Sequence, residues 1–178
     1  MIRLIVVIVL VLTLSQGSLK KANSKVEEVI KSSFPNVTEV EPKQLILTKS
    51  LFTKVQFSAK ASMRTKIYRY YRIKSAKKII GYAVLTSRIL RTKKAVVLYA
   101  FDMKGNLKFT EIMAFGEPPE FSPNSQWMTL LQNKRNNTRL TLGKDIPTIS
   151  GSTLSARTIT EGARVARAIY NEILKNKQ

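Results

Sequence analysis

The chain has 178 residues, and 31 Lys or Arg against 11 Asp or Glu give it a formal net charge of +20. It contains no Cys and no His, which excludes disulfides, Cys-based zinc or iron–sulfur sites, haem ligation by His and Ser–His–Asp triads. A hydrophobic fraction of 44% in a chain of this length predicts one folded domain with a real core.

The N-terminus carries an apolar run, Leu4–Leu14, which follows Arg3 and precedes Ser15–Gly17. A helix of that length spans about 16 Å, roughly half of a ~30 Å hydrocarbon core. A basic start and a short apolar run are typical of a secretory signal peptide. We predict a signal peptide over residues 1–17, with an uncleaved N-terminal anchor as the alternative. Either predicts an extracytoplasmic protein, periplasmic or membrane-associated.

Two helices are predicted in the next part of the chain. Ser24-Lys25-Val26-Glu27 has the spacing of a capping box, and Pro35 ends the helix that follows it. A second short helix is predicted over Lys49–Ala59, where apolar residues recur at helical spacing.

From Thr65 the hydrophobic period changes to two, which predicts strands. Four runs rich in branched and aromatic residues follow, namely 66–73, 79–86, 95–101 and 107–115. The Asp-Met-Lys-Gly-Asn sequence of 102–106 is typical of a hairpin. Gly81 lies inside a strand and predicts a bulge or a close backbone approach.

The last third of the chain predicts two more helices. Ser122 and Pro123 have the pattern of an N-cap followed by proline, opening a short helix that contains Trp127. Thr158–Glu161 offers a capping box near the start of a long terminal helix. Helices at both ends of an antiparallel β meander, with a third in the middle, predict a single α+β domain. We divide the chain into the signal, residues 1–17, a lead-in region, 18–63, and the main domain, 64–178.

The positive charge is unevenly distributed, because no carboxylate lies between Glu41 and Asp102. The basic residues on or between the predicted strands are Arg69, Arg72, Lys74, Lys77, Lys78, Arg88, Arg91, Lys93 and Lys94. Such a field attracts nucleic acid, anionic lipid or an acidic protein. We predict that basic residues of the segment 43–94 dock an acidic redox protein or an anionic membrane surface.

Three tyrosines lie among these basic residues, at Tyr68, Tyr70 and Tyr71. They fit a stacking platform for nucleic acid, or ordinary packing of a strand. Strand packing needs no further assumption, and export also argues against nucleic acid. We therefore predict no nucleic-acid partner.

One segment, Asp145–Ser155, is a hydroxyl-rich turn that leads into the terminal helix. Gly151 permits a sharp backbone path, and the free amides of a helix N-terminus favour a phosphate. Hydroxyls at Ser152, Thr153 and Ser155 are available as donors or attachment points. From these residues alone the segment is a phosphate site or simply a helix cap.

The sequence Ser-Gly-Ser-Thr-Leu-Ser at 150–155 resembles the Ser-Gly-Ala-Thr-x-Ser/Thr motif of the FMN-binding domain family. That family includes extracytoplasmic subunits of ion-pumping electron-transport complexes. Further segments are similar to the family's, namely 80–83, 101–105, and 117–121 with Trp127, within a resemblance that covers roughly 66–174.

The resemblance implies that FMN is attached through its phosphate to Thr153, as a phosphoester installed by a separate flavin transferase that uses FAD. It implies further cofactor-binding residues at Ser150, Gly151, Ser152, Leu154, Ser155 and, in a neighbouring loop, Glu117. Two positions depart from the family's pattern. Pro147 stands where the family usually carries Asp, and Ser152 replaces the usual Ala.

Together these features predict an exported flavoprotein that carries electrons on FMN bound covalently to Thr153. An FMN-dependent reductase would carry the same sequence features. The alternative from another class is an unflavinylated basic binding module that docks on anionic lipid or an acidic protein.

Overall fold

The computed structural model describes residues 23–177, in which five strands form one open antiparallel sheet. The strands are β1 (Glu39–Ile46), β2 (Ile67–Ser75), β3 (Lys78–Ile89), β4 (Lys94–Asp102) and β5 (Leu107–Phe115). They pair in chain order, so the predicted meander is confirmed and gains one strand at its start.

Within residues 23–177, four α-helices accompany the sheet. They are α1 (23–33), α2 (Lys49–Ala59), α3 (Ser125–Thr129) and α4 (Thr153–Glu172), with short 3-10 turns at Pro119–Phe121 and Leu174–Asn176. The helix predicted over Lys49–Ala59 has those bounds, and the Thr48 side chain caps it by accepting from the Leu51 amide.

The helices cover the two faces of the sheet unequally. On one face α1 packs through Val26 and Ile30 against β-strand residues such as Tyr71. On the other face α2 and α4 pack over the larger core, to which α3 adds Trp127. Because one helix or more lies on each face, both surfaces of the sheet bury apolar side chains in this α+β domain.

The close approach predicted at Gly81 is confirmed. A Cβ there would lie 2.5 Å from the Phe101 carbonyl oxygen and 3.1 Å from the Phe34 ring, so no larger residue fits without movement. The β2–β3 register also shifts beside it, after Ile73. The predicted hairpin is confirmed as well, with Gly105 at φ +80° and the Asp102 side chain accepting from the Lys104 and Asn106 amides.

Three predicted helix starts are wrong. Ser24 is already helical and so does not cap α1. Asn124, and not Ser122, caps α3 by accepting from the Trp127 amide at 2.8 Å. Helix α4 begins at Thr153, which places the pattern at Thr158–Glu161 inside the helix.

The sequence pattern did not predict β1, which pairs with β2 along its whole length. Because β1 belongs to the sheet, the predicted boundary at residue 64 separates no independent unit. The predicted signal peptide or anchor, residues 1–17, lies outside the described residues. Over residues 23–177 no helix is long and apolar enough to cross a membrane.

Candidate functional site

The hydroxyl-rich turn ends at the start of α4, and Gly151 makes its geometry possible. Gly151 has φ +78°, a left-handed conformation that side-chain-bearing residues rarely adopt. Apart from Gly151 and its two chain neighbours, no heavy atom of residues 23–177 lies within 4 Å of the position that its Cβ would occupy, so the space beside the turn is open. Ser152 is the N-cap residue and Thr153 the first helical residue.

Thr153 presents its side chain at the surface. The residue is exposed, and its Oγ1 donates a hydrogen bond to the Ile149 carbonyl oxygen at 2.9 Å. The hydroxyl oxygen is thus held in place by the turn that precedes the helix while it stays accessible from solvent. Ser150, Gly151 and Leu154 are also exposed, so these three predicted residues surround Thr153 in sequence and share its access to solvent.

Two predicted residues have other surroundings. Ser152 is buried, and its Oγ lies 3.4 Å from the carbonyl oxygens of both Glu120 and Ser122, to either of which its one proton can be donated. Ser155 is also buried. Neither hydroxyl is presented to solvent beside Thr153, because both contribute to the interior under the first helical turn.

The first turn of α4 has no side-chain cap. The Ser152 side chain makes no hydrogen bond to it, although the Ser152 carbonyl accepts from the Ala156 amide at 2.9 Å. The first amides of a helix lack intrahelical acceptors, and the helix dipole places partial positive charge at the same end. This end of α4 therefore offers donors of the kind that bind phosphate.

A second segment of the predicted site packs against the turn. Trp127 is buried, and its Nε1 donates to the Pro147 carbonyl oxygen at 2.8 Å. Together with the contacts of Ser152 to residues 120 and 122, this bond joins the loop after β5 to the turn before α4. These two segments are far apart in sequence, and both belong to the stretch that carries the resemblance. They thus meet in space.

Glu117 connects that loop to the turn between β3 and β4. Its buried Oε1 accepts from the backbone amides of Lys93 at 2.7 Å, Thr92 at 2.8 Å and Arg91 at 3.2 Å. These bonds, led by that of Lys93, hold the pKa of the Glu117 carboxyl below its ordinary value. The carboxylate is therefore engaged by the β3–β4 turn, and its predicted contact with a cofactor remains a prediction.

The departures from the family's motif also have structural partners. Pro147 supplies the carbonyl that Trp127 binds, a contact that any residue at this position can make through its backbone. Asp145 is exposed and accepts from the Thr141 amide at 3.0 Å, which closes the turn of residues 141–145. Within residues 23–177 no group of three or more Asp or Glu is arranged to hold a metal ion.

The basic residues of the sheet are partly neutralised. Arg72 and Lys74 form ion pairs with Glu41, and Lys74 also binds Glu39 at 3.2 Å. Lys43 and Lys74 lower the pKa of Glu41 by hydrogen bonding to it. Glu39 and Glu41, which precede the basic segment in sequence, thus lie on the edge strand β1 and pair with basic side chains of β2.

The three tyrosines among the basic residues are all buried, with Tyr71 only 1% exposed. The interpretation as strand packing is confirmed, and a surface stacking platform of these rings is excluded. Sequence analysis missed a different aromatic contact, in which the Arg91 guanidinium lies 4.0 Å above the centre of the Phe121 ring. No local signal pairs these two residues, because the contact depends on how β3–β4 and the loop after β5 fold together.

No family model matches the chain, and no curated protein matches its sequence.

Proposed function

We propose that the protein is an exported flavoprotein that carries FMN as a phosphoester on Thr153 and transfers electrons in an extracytoplasmic redox chain. The observation that carries this proposal is the exposed Thr153 hydroxyl at the uncapped start of α4, two residues after the left-handed Gly151. The resemblance of residues 150–155 to the flavin-bearing motif supports the same conclusion.

The residues at this end of α4 fit a phosphate. The first-turn amides have no side-chain acceptor from Ser152, and the open space beside Gly151 leaves room for phosphate oxygens. Ser150 adds an exposed hydroxyl next to the turn. When bound, FMN supplies reversible electron acceptance, which the side chains of a protein without Cys do not offer.

Thr153 changes one contact when it becomes an ester. In the transfer from FAD, Thr153 Oγ1 would bond to the FMN phosphorus, AMP would leave as the pyrophosphate bond breaks, and the hydroxyl proton would be released. Oγ1 would then no longer donate to the Ile149 carbonyl oxygen. The turn remains held by the Trp127 bond to Pro147 and by Ser152, which do not involve that proton. This protein needs no general base of its own, because a separate flavin transferase attaches the FMN and a carrier only positions its cofactor.

Covalent attachment suits a protein that works outside the cytoplasm, where a dissociated cofactor would be diluted away. The predicted signal peptide supports this location. The proposal requires a flavin transferase for maturation and an acidic redox protein or anionic membrane as docking partner for basic residues of the segment 43–94.

The test is to express the full chain in a host that contains a flavin transferase and to look for flavin fluorescence after denaturing electrophoresis. The wild type is expected to fluoresce, and Thr153→Ala is expected to lose the signal completely. The same variant should unfold within about 1 kcal/mol of the wild type, because it loses one surface hydrogen bond. Thr148→Ala is the matched control, since it removes an exposed hydroxyl from the same turn and should remain flavinylated.

Fluorescence that persists in Thr153→Ala would refute the attachment site. A dark wild-type band, in a host that flavinylates a control domain, would refute flavinylation altogether. The unmodified binding module would then explain the charge better.

A further inference from the structure

The sheet opens between β2 and β3 at one end of the molecule. The ladder between these strands begins where Arg69 faces Leu85. Before that point, Ile67 and Tyr68 pair with β1, and after it, residues 86–89 pair with β4. Strands β2 and β3 therefore diverge, because β2 stays paired with β1 and β3 stays paired with β4. The divergence leaves a gap in the sheet.

A cavity of about 600 Å³ occupies this gap. Tyr68 and Leu85 line it from the diverging strands, and α4 contributes Thr158, Glu161 and Val165. Sites for small molecules typically enclose about 300–1,000 Å³, so the cavity is large enough for an organic ligand.

Part of the wall is apolar. Ile67, Leu85, Val96 and Val165 provide aliphatic surface, and Tyr68 adds an aromatic ring. Burial raises the pKa of the Tyr68 hydroxyl, so this side chain is neutral at ordinary pH. A ligand that fills the cavity can therefore bury an apolar body against these residues.

The rest of the wall is strongly basic. Arg64, Arg69, Arg88 and Lys94 line the cavity, and the one carboxylate among its lining residues is Glu161. That carboxylate is already paired with Arg88 at 2.7 Å. In the part of the chain that the structure describes, no carboxylate forms an ion pair with Arg64, Arg69 or Lys94.

Arg88 adds an unused donor. Its NH1 group donates to the Ser62 carbonyl oxygen at 3.0 Å, and its NH2 group binds Glu161. Its Nε is buried and has no hydrogen-bond partner among the described residues. A buried donor without an acceptor is costly, which favours an acceptor supplied from the cavity.

From the apolar wall, the excess of guanidinium and ammonium groups and the unused donor, we propose that this cavity binds a small amphipathic anion. The ligand carries an apolar body with a carboxylate, sulfonate or phosphate head. The body packs between Tyr68, Leu85 and Val165. The head is held by Arg64, Arg69 and Lys94, and one of its oxygens accepts from Arg88 Nε.

This site is separate from the proposed flavin attachment. Thr153 does not line the cavity. Anion binding therefore requires no flavin, and either proposal can fail without the other.

The experiment uses the full chain from a host without a flavin transferase and the fluorescent anion 1-anilinonaphthalene-8-sulfonate as the probe. The wild type is expected to bind one molecule per chain. Arg64→Gln/Arg69→Gln should weaken binding by at least about tenfold, since two of the charged contacts to the head are lost. Arg135→Gln/Arg139→Gln removes the same charge from exposed residues elsewhere and should bind like the wild type.

Equal weakening of both double variants would show attraction to overall charge and would overturn the proposal. A second variant tests the cavity itself: Ser87→Phe adds a ring to an exposed lining residue and should abolish binding without any change of charge. Unchanged binding in Ser87→Phe would also overturn the proposal. The urea midpoint of each variant establishes that it is folded.

Competition identifies the class of anion. Decanoate or 2-naphthoate is expected to displace the probe, and whichever competes more strongly assigns the cavity to aliphatic or aromatic anions. The neutral alcohol decan-1-ol should compete at least about tenfold more weakly than decanoate, and equal competition would contradict an anion site. Thr153→Ala should bind the probe as the wild type does.

Discussion

The first two residues of α4, Thr153 and Leu154, differ from the later turns of the same helix in exposure and in packing. Thr153 and Leu154 are exposed, and no side chain caps the amides beside them. Further along, Ile159, Ala163 and Ile169 are at most 1% exposed and belong to the larger core. One helix thus has an exposed, uncapped start and a buried remainder.

The difference separates a surface position from the parts of the helix that stabilise the fold. Thr153 and Leu154 are exposed, so a change of either side chain should cost little folding free energy. The buried turns fix where that exposed end lies relative to the sheet. Substitutions in the two regions should therefore affect different measurements.

The largest effect on stability is expected in the buried part, at Gly162. A Cβ added there would collide with the Tyr99 hydroxyl and lie 3.1 Å from Tyr99 Cζ. That hydroxyl donates to the Ile159 carbonyl oxygen at 2.7 Å in the core. Gly162→Val should lower the free energy of unfolding by about 3 kcal/mol, measured by urea denaturation, because it overpacks the core and displaces this bond.

Arg157→Val is the matched control, since it places the same side chain at an exposed position of α4. It should lower the free energy of unfolding by about 0.5 kcal/mol, because Val has a lower helix propensity than Arg. A small effect of Gly162→Val would mean that the helix moves freely over β4, contrary to this account.

A smaller effect is expected at the junction between the two segments of the site. Trp127→Phe keeps an aromatic ring but removes the Nε1 donor to the Pro147 carbonyl. The free energy of unfolding of the variant should be about 1 kcal/mol lower than that of the wild type, and the smaller ring should lower it further. Flavinylation should fall while the fold is retained, which is measured as the flavin-to-protein ratio. An undiminished ratio would show that the turn needs no support from the loop after β5.

The smallest effect concerns pH and Glu117. Amide hydrogen bonds lower its pKa in the folded protein from the ordinary value of 4.5, so its ionisation stabilises the fold above that pH. As the pH falls below 4.5 and through the folded-state value, this contribution is lost. Glu117→Gln does not titrate there, so its urea midpoint should decline less steeply with acid than that of the wild type. Parallel declines would show that Glu117 is not the group responsible.

The strands from β2 to β5 could be predicted because their alternating side chains are those that the sheet buries. Strand β1 could not, since Pro42 lies inside it and polar residues interrupt the pattern. An edge strand tolerates proline because one of its sides needs no ladder hydrogen bond. The start of α4 was also misplaced, because Thr158–Glu161 has the composition of a cap and only tertiary structure shows that it is interior.

For the candidate site, sequence analysis predicted the turn with Gly151 and the position of Thr153. It did not predict that Ser152 and Ser155 are buried, because nothing local distinguishes hydroxyls that face the core from those that face solvent. The cavity between β2 and β3 could not be predicted from the sequence either, since it depends on where the hydrogen-bond ladder between these two strands ends.

The most direct test of the central claim is to locate the flavin by mass spectrometry. After expression with a flavin transferase, trypsin should release the peptide Asp145–Arg157, which contains every hydroxyl of the turn. The account predicts that this peptide carries the mass of FMN minus water and that fragmentation places it on Thr153. An unmodified peptide, or fragments that place the added mass on Ser150, Ser152 or Ser155, would contradict it.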